Sequence, residues 1–224
     1  MHIPDGFVSV PVNAATFLVS ASACAVAASR AGRSLGERQV PLLGVTAAFV
    51  FAAQMLNFPV AGGTSGHFLG AMLAAVLLGP AQGYLAMAVV LIIQCLMFSD
   101  GGITALGSNL LNMGLVGGVG AYAVFRVALA AFPKTRSGFL AAAGTAAWAS
   151  VVLASAACAF ELAASGTCPF EIAMPAMVGV HAVIGVGEAV ITAAVLSTVL
   201  SVRPDLVAEW RGVAAGSAAG EARA

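Results

Sequence analysis

Residues 176–202 read AMVGVHAVIGVGEAVITAAVLSTVLSV. The run exceeds the about 20 apolar residues that carry a helix across a bilayer. It holds one carboxylate, Glu188, and one imidazole, His181. The rest of the chain is built the same way. Of its 224 residues, 61% are hydrophobic and only 8% charged, with a mean hydropathy of +1.02. A soluble domain is normally about a quarter charged. So few charges cannot solvate a water-soluble fold of this size, and the chain reads as an all-α polytopic membrane protein. The 26 glycines agree, because helices in lipid associate through close packing of small residues.

Charge, proline and glycine divide the chain into seven apolar segments, at 12–29, 40–57, 66–80, 83–99, 104–126, 138–163 and 176–202. They predict a seven-helix bundle over 12–202, preceded by an N-terminal segment, 1–11, and followed by a flexible tail, 203–224, rich in small residues. The third segment is short, between Gly62-Gly63 and Gly79-Pro80. It is expected to tilt, or to begin below the membrane surface where protein shields its ends. Arg30, Arg33 and Arg38 follow segment one. Arg126, Lys134 and Arg136 follow segment five, and Arg203, Arg211 and Arg223 follow segment seven. With seven crossings these nine residues share one face, and the bias of basic residues makes that face the cytoplasm. The N-terminus is then outside.

The start is not a signal peptide: it has no basic leader, and Pro4-Asp5-Gly6 is turn chemistry. Met1 is expected to remain as the mature first residue, since a bulky His2 resists trimming. Of the four cysteines, Cys24, Cys95 and Cys158 lie in apolar runs and read as packing residues. Cys168 lies outside them, and could pair with Cys158 on an oxidising side. None shows metal-binding spacing.

Met1-His2 carries the chemistry. A free amine on Met1 and the amide and imidazole nitrogens of His2 can reach one ion through small fused rings. A fourth nitrogen must come from His67 or His181, the only other histidines. On this topology His67 lies on the same side as His2. Thr64 or Ser65 is expected to cap segment three, with His67 in its first turn. Four nitrogens in a plane suit Ni(II) or Cu(II), with Co(II) a competitor. Zn(II) prefers a tetrahedron and Mg(II) prefers oxygen. Pro4 fixes its own φ and helps hold the segment in a turn.

His181, Gly185, Glu188 and Thr192 share one helical face, with Glu188 about 10 Å deeper than His181. A carboxylate in a span is costly and faces the bundle interior. Glu188 could carry protons, support the metal site, couple it to partners, or bond a neighbouring helix as the neutral acid. Asp5, Gln54, Asn57, Asn109 and Asn112 gather toward the same side. They line an outward pocket closed by the N-terminal segment, or make interhelical hydrogen bonds worth about 0.6 kcal/mol each.

Several stretches together resemble the CbiM/NikM family: Met-His-Ile-Pro-Asp-Gly-Phe at 1–7, Gly-Thr-Ser-Gly-His-Phe-Leu-Gly at 63–70, Ser-Asp-Gly-Gly-Ile-Thr-Ala-Leu-Gly-Ser-Asn at 99–109, Asn112-Met113-Gly114, and the run from His181 to Thr192. The resemblance implies the substrate-binding component of an energy-coupling factor transporter, an ABC-type importer of Ni(II) or Co(II) in the prokaryotic cytoplasmic membrane. It implies metal ligation by the Met1 amine, by the amide and side chain of His2, and by His67. It also implies a transmembrane coupling subunit, cytoplasmic ATPase subunits and a small accessory membrane subunit as partners. Pro4-Asp5 looks more like the nickel-associated form than the Met-Glu of cobalt-associated members.

The chain has no phosphate-binding Gly-x-x-x-x-Gly-Lys-Ser/Thr loop, which agrees with ATP hydrolysis by separate subunits. It lacks the basic surface of a nucleic-acid binder. No nucleophile–base pair or pair of catalytic acids emerges, so no enzymatic role and no resident cofactor is expected; the metal is cargo. A stand-alone transporter that relays protons through Glu188 and His181, and a purely structural subunit, are the rival expectations.

Overall fold

The computed structural model describes residues 1–34, 36, 39–56, 58–60 and 64–210. Expectations placed on Arg38, Asn57, Gly62-Gly63 and the tail beyond Trp210 lie outside the described residues. The helices are α1 (Val10–Ser34), α2 (Gln39–Gln54), α3 (Ala71–Leu78), α4 (Pro80–Phe98), α5 (Leu106–Ala131), α6 (Arg136–Ala164) and α7 (Phe170–Val202). Two short strands, β1 (Phe58–Val60) and β2 (Thr64–Gly66), form an antiparallel hairpin between α2 and α3, pairing Phe58 with Gly66 and Val60 with Thr64. Among the described residues, five helices are long and apolar enough to cross a membrane: α1, α4, α5, α6 and α7. α2 has 16 residues and α3 only 8.

α3 is the centre of the bundle. Ala71 to Leu77 are all buried, and the helix touches α2, α4, α5, α6 and α7. Its surroundings are built from small residues. Along α6, Ala142, Ala143, Ala146, Ala147 and Ala154 are fully buried. Those alanines let helix backbones approach and gain dispersion contact where no water drives association. The central part of α5, Leu110–Gly120, widens into a π-helix. Its glycines receive neighbouring side chains: a Cβ at Gly114 would stand 2.9 Å from the Tyr84 ring, and one at Gly117 would stand 3.1 Å from Leu69. The four cysteines are free, and Cys158 packs in the core.

Segment three departs from expectation. The helix begins at Ala71, not near Gly66, so His67 precedes it in a non-helical run of residues 67–70. Thr64 and Ser65 lie in β2 and do not cap it; the cap is Gly70, in the left-handed conformation at φ 74°. The reason lies in a contact from another helix and in one glycine. The Leu69 and Gly70 N–H groups are taken by the Glu188 carboxylate on α7, and the left-handed turn at Gly70 ends any helical path before Ala71.

Gly70 also has no room for a side chain, since a Cβ there would lie 2.8 Å from Val50. A left-handed non-glycine residue costs about 1–2 kcal/mol before any clash. Gly70→Ala is therefore expected to lower the thermal unfolding midpoint of the detergent-purified protein by several degrees. An unchanged midpoint would show that this junction is not fixed.

Candidate metal site

The first nine residues are folded into the bundle ahead of α1. Met1, Ile3 and Val8 are buried in the same apolar cluster as Leu91, Met113 and Cys158. The chain turns at Asp5-Gly6, with Gly6 at φ 84°, as Pro4-Asp5-Gly6 predicts.

Polar bonds sew the segment to the loop between α4 and α5, to the first turn of α5 and to the loop between α6 and α7. Ile3 N donates to Asn109 Oδ1 at 2.8 Å, and Asn109 Nδ2 donates back to Ile3 O at 3.1 Å. Gly102 N donates to the same carbonyl at 2.9 Å. Asp5 Oδ1 accepts from Thr104 N at 2.7 Å and Thr104 Oγ1 at 2.6 Å. Thr167 Oγ1 donates to Phe7 O. A Cβ at Gly102 would sit 2.3 Å from Asp5 N, so only glycine lets the loop lie this close. Each such bond contributes about 1 kcal/mol net, and together they fix the register of Met1-His2.

That register brings three residues together. The Met1 amine is 3.5 Å from His67 Nε2, and the His2 and His67 ring centroids are 4.8 Å apart with the planes 40° from parallel. His67 Nδ1 lies 2.8 Å from Phe68 O. A carbonyl only accepts, so Nδ1 carries the proton and Nε2 turns a lone pair toward the amine. Metal–imidazole bonds of about 2.0 Å put neighbouring in-plane nitrogens about 2.8 Å apart. The Met1 amine and His67 Nε2 stand 3.5 Å apart, somewhat wider than that spacing.

Burial lowers the Met1 amine from 8.0, opposed by the thiol of Cys158 and the carboxylate of Asp100. Burial, and then the charge on the terminal amine, push His2 down from 6.5 to about 3. The neutral forms, which are the ones that donate to metals, are therefore favoured. Outside this pair, His2 Nε2 approaches Asp100 Oδ2 at 3.9 Å, on the side where a metal-bound imidazole commonly finds a carboxylate. Among the described residues, no three His, Cys, Asp or Glu side chains form a metal-binding group; the candidate set depends on main-chain nitrogens.

The other expected residues divide. Asn109, expected to line a pocket or to bond a neighbouring helix, pairs instead with Ile3 of the N-terminal segment, and Asp5 holds the same segment from the exposed turn. Asn112 instead donates to Glu161 Oε2 at 2.8 Å, one helix away. Gln54 Nε2 donates to Leu69 O at 2.6 Å. His181 is fully buried, with Nδ1 2.7 Å from Met177 O one turn back and no hydrogen bond at Nε2. Glu188 bonds the backbone below His67. Ser65 lies in β2, and its side chain lies outside the described set. Sequence reasoning missed Glu161, although a carboxylate inside an apolar run is the very signal used for Glu188. It also does not single out Asp100, because its proximity to His2 depends on how the terminus folds back.

Residues 2–206 match the family CbiM, described as cobalt uptake substrate-specific transmembrane region. A provisionally named fused nickel transport protein, NikMN, of Archaeoglobus fulgidus is 41% identical over 209 residues, 92% of this chain and 68% of that protein. The cobalt transport protein CbiM 1 of Pelobacter propionicus is 39% identical over 145 residues, 63% of this chain and 64% of that protein. A crystal structure of a truncated transition metal transporter matches with a TM-score of 0.83 at 32% identity, covering 90% of this chain and 99% of that one. The relatives are nickel and cobalt transport proteins, and the long apolar helices fit a multi-pass membrane protein. The chain belongs to the CbiM family.

Proposed function

We propose that the chain is the substrate-binding component of an energy-coupling factor importer and captures Ni(II) through the Met1 amine, the His2 amide and imidazole, and His67 Nε2. The observation that carries this is the placement of the terminal amine 3.5 Å from a histidine nitrogen whose other nitrogen bonds a carbonyl. As the ion binds, the His2 amide releases its proton to solvent, a cost that only a metal forming strong in-plane bonds compensates. Ni(II) is favoured over Co(II) by the planar nitrogen set and by Pro4-Asp5. Co(II) fits the same donors, and the names of the relatives divide between nickel and cobalt.

The topology that fits this role has seven crossings, with α2 and the α3 region making the two short ones. It has the N-terminus outside and the basic residues in the cytoplasm of a prokaryotic cell. The segment 1–9 closes over the ion. A transmembrane coupling subunit, driven by cytoplasmic ATPases and aided by a small accessory subunit, then distorts the site to release the ion inward. Metal capture needs Met1 as the mature first residue.

Adding one residue before Met1 blocks the amine and moves every chelate ring, yet leaves the helices intact. It is expected to weaken Ni(II) binding by more than about 100-fold, measured by metal titration of the purified protein. Unaltered binding in the extended form sinks the proposed site.

The pH dependence has a fixed sign. Undocked, the amine titrates near 8.0 and the imidazole near 6.5; docked, both bind protons less well, His2 only near 3. The docked state therefore holds fewer protons, so docking is favoured at high pH. It weakens as pH falls below 8 for the amine, and between 6.5 and about 3 for His2. Metal binding displaces protons in the same direction. Ni(II) affinity is expected to fall at least about tenfold for each unit between pH 7 and pH 5, the slope of one displaced proton. A flat profile would contradict proton-displacing ligands.

A further inference from the structure

α3 starts inside the protein, with its first turn buried on every side. The N–H groups that lead into it cannot reach water, and each left unpaired would be costly. No side chain within the segment caps them: Gly70 is the cap residue. The partner comes from another helix. Glu188 on α7, itself 1% exposed, accepts from Leu69 N through Oε2 and from Gly70 N through Oε1, both at 2.7 Å. Both carboxylate oxygens are engaged, and the carboxylate faces the positive end of the helix, where negative charge is stabilised. Gln54 of α2 fixes the same run from the other side by donating to Leu69 O at 2.6 Å.

One of these bonds reaches the metal site. The Phe68 carbonyl and the Leu69 N–H belong to a single peptide unit, which is planar and stiff. Its N–H is held by Glu188 Oε2, and its oxygen accepts from His67 Nδ1 at 2.8 Å. Glu188 and His67 thus grip the same plane by its two ends. Tilting that plane would move the carbonyl that holds the His67 proton. It would then free the ring to rotate or change tautomer, and Nε2 would leave its line to the Met1 amine.

We infer that Glu188 is a positioning residue of the metal site, which acts through the Phe68–Leu69 peptide to hold His67 Nε2 in the ligand plane. The inference rests on the proposed capture of metal by Met1, His2 and His67. It assigns the buried carboxylate of α7 to ligand orientation, with no contact to the ion. A carbonyl behind a metal-binding histidine is the usual device for fixing its ring. Here the carbonyl is itself fixed through the N–H of its own peptide unit, which donates to a carboxylate.

The test uses the full chain with its native N-terminus, loaded with Cu(II) as a spectroscopic probe and titrated in parallel with Ni(II). Glu188→Gln keeps size and one acceptor but turns an N–H₂ toward a backbone N–H. It is expected to weaken binding about 10- to 100-fold, the range for losing a partner behind a ligand. It should also shift the Cu(II) electron paramagnetic resonance spectrum from a four-nitrogen pattern toward that of His67→Ala. In the His67→Ala background, where Met1 and His2 still chelate, Glu188→Gln should change affinity less than about twofold. Equal losses in both backgrounds, or an unchanged affinity and spectrum in the single variant, overturn the positioning role. If the Gln variant does not accumulate, Glu188→Asp, which draws the charge back by one methylene, is measured in both backgrounds against the same criteria. A wild-type chain without a four-nitrogen spectrum would instead remove the capture site on which the inference stands, and the role of Glu188 with it.

Discussion

An irregular stretch of backbone inside a membrane bundle must have its polar groups satisfied by protein, because no water is there to do it. The run 67–70 is that stretch here. Glu188, Gln54 and the His67 ring supply its partners, and the rest of the architecture follows from keeping them in reach. α3 is short and central because it starts where those bonds are made. α7 and α2 flank it because they carry the partners. Small residues on α6 and glycines on α5 let the surrounding helices close around it.

The same logic applies to the first residues. An N-terminus would normally fray, and burying its amine costs solvation. That cost is offset by apolar burial of Met1 and Ile3 and by the paired bonds between Ile3 and Asn109. The consequence is electrostatic: an amine and an imidazole kept from water favour their neutral forms. Folding thus prepares donors that in solution would compete with protons. In the proposed capture step this preparation lowers the cost of binding a cation at neutral pH.

Much of this was legible in the sequence. The apolar runs located every long helix, with ends within six residues of those observed, because hydrophobic length is a direct requirement of the bilayer. Met1-His2 and His67 were named from donor chemistry, and the fold brings them together. What was not legible depended on tertiary contact. Ser65 and Thr64 had the composition of caps, but the cap of α3 comes from Glu188, more than 100 positions away, and local propensity contains no trace of it. Asn112 gathers with Asn109 on the outer side in the sequence, yet its side chain bonds Glu161 on α6. Asp100 lies near His2 only because the terminus folds back against the 99–105 loop.

The most direct measurement is X-ray absorption at the nickel K-edge on the Ni(II)-loaded chain with a native N-terminus. A planar site built from Met1, His2 and His67 predicts four nitrogen neighbours and the sharp pre-edge feature of a square-planar ion. A six-coordinate shell rich in oxygen would contradict it.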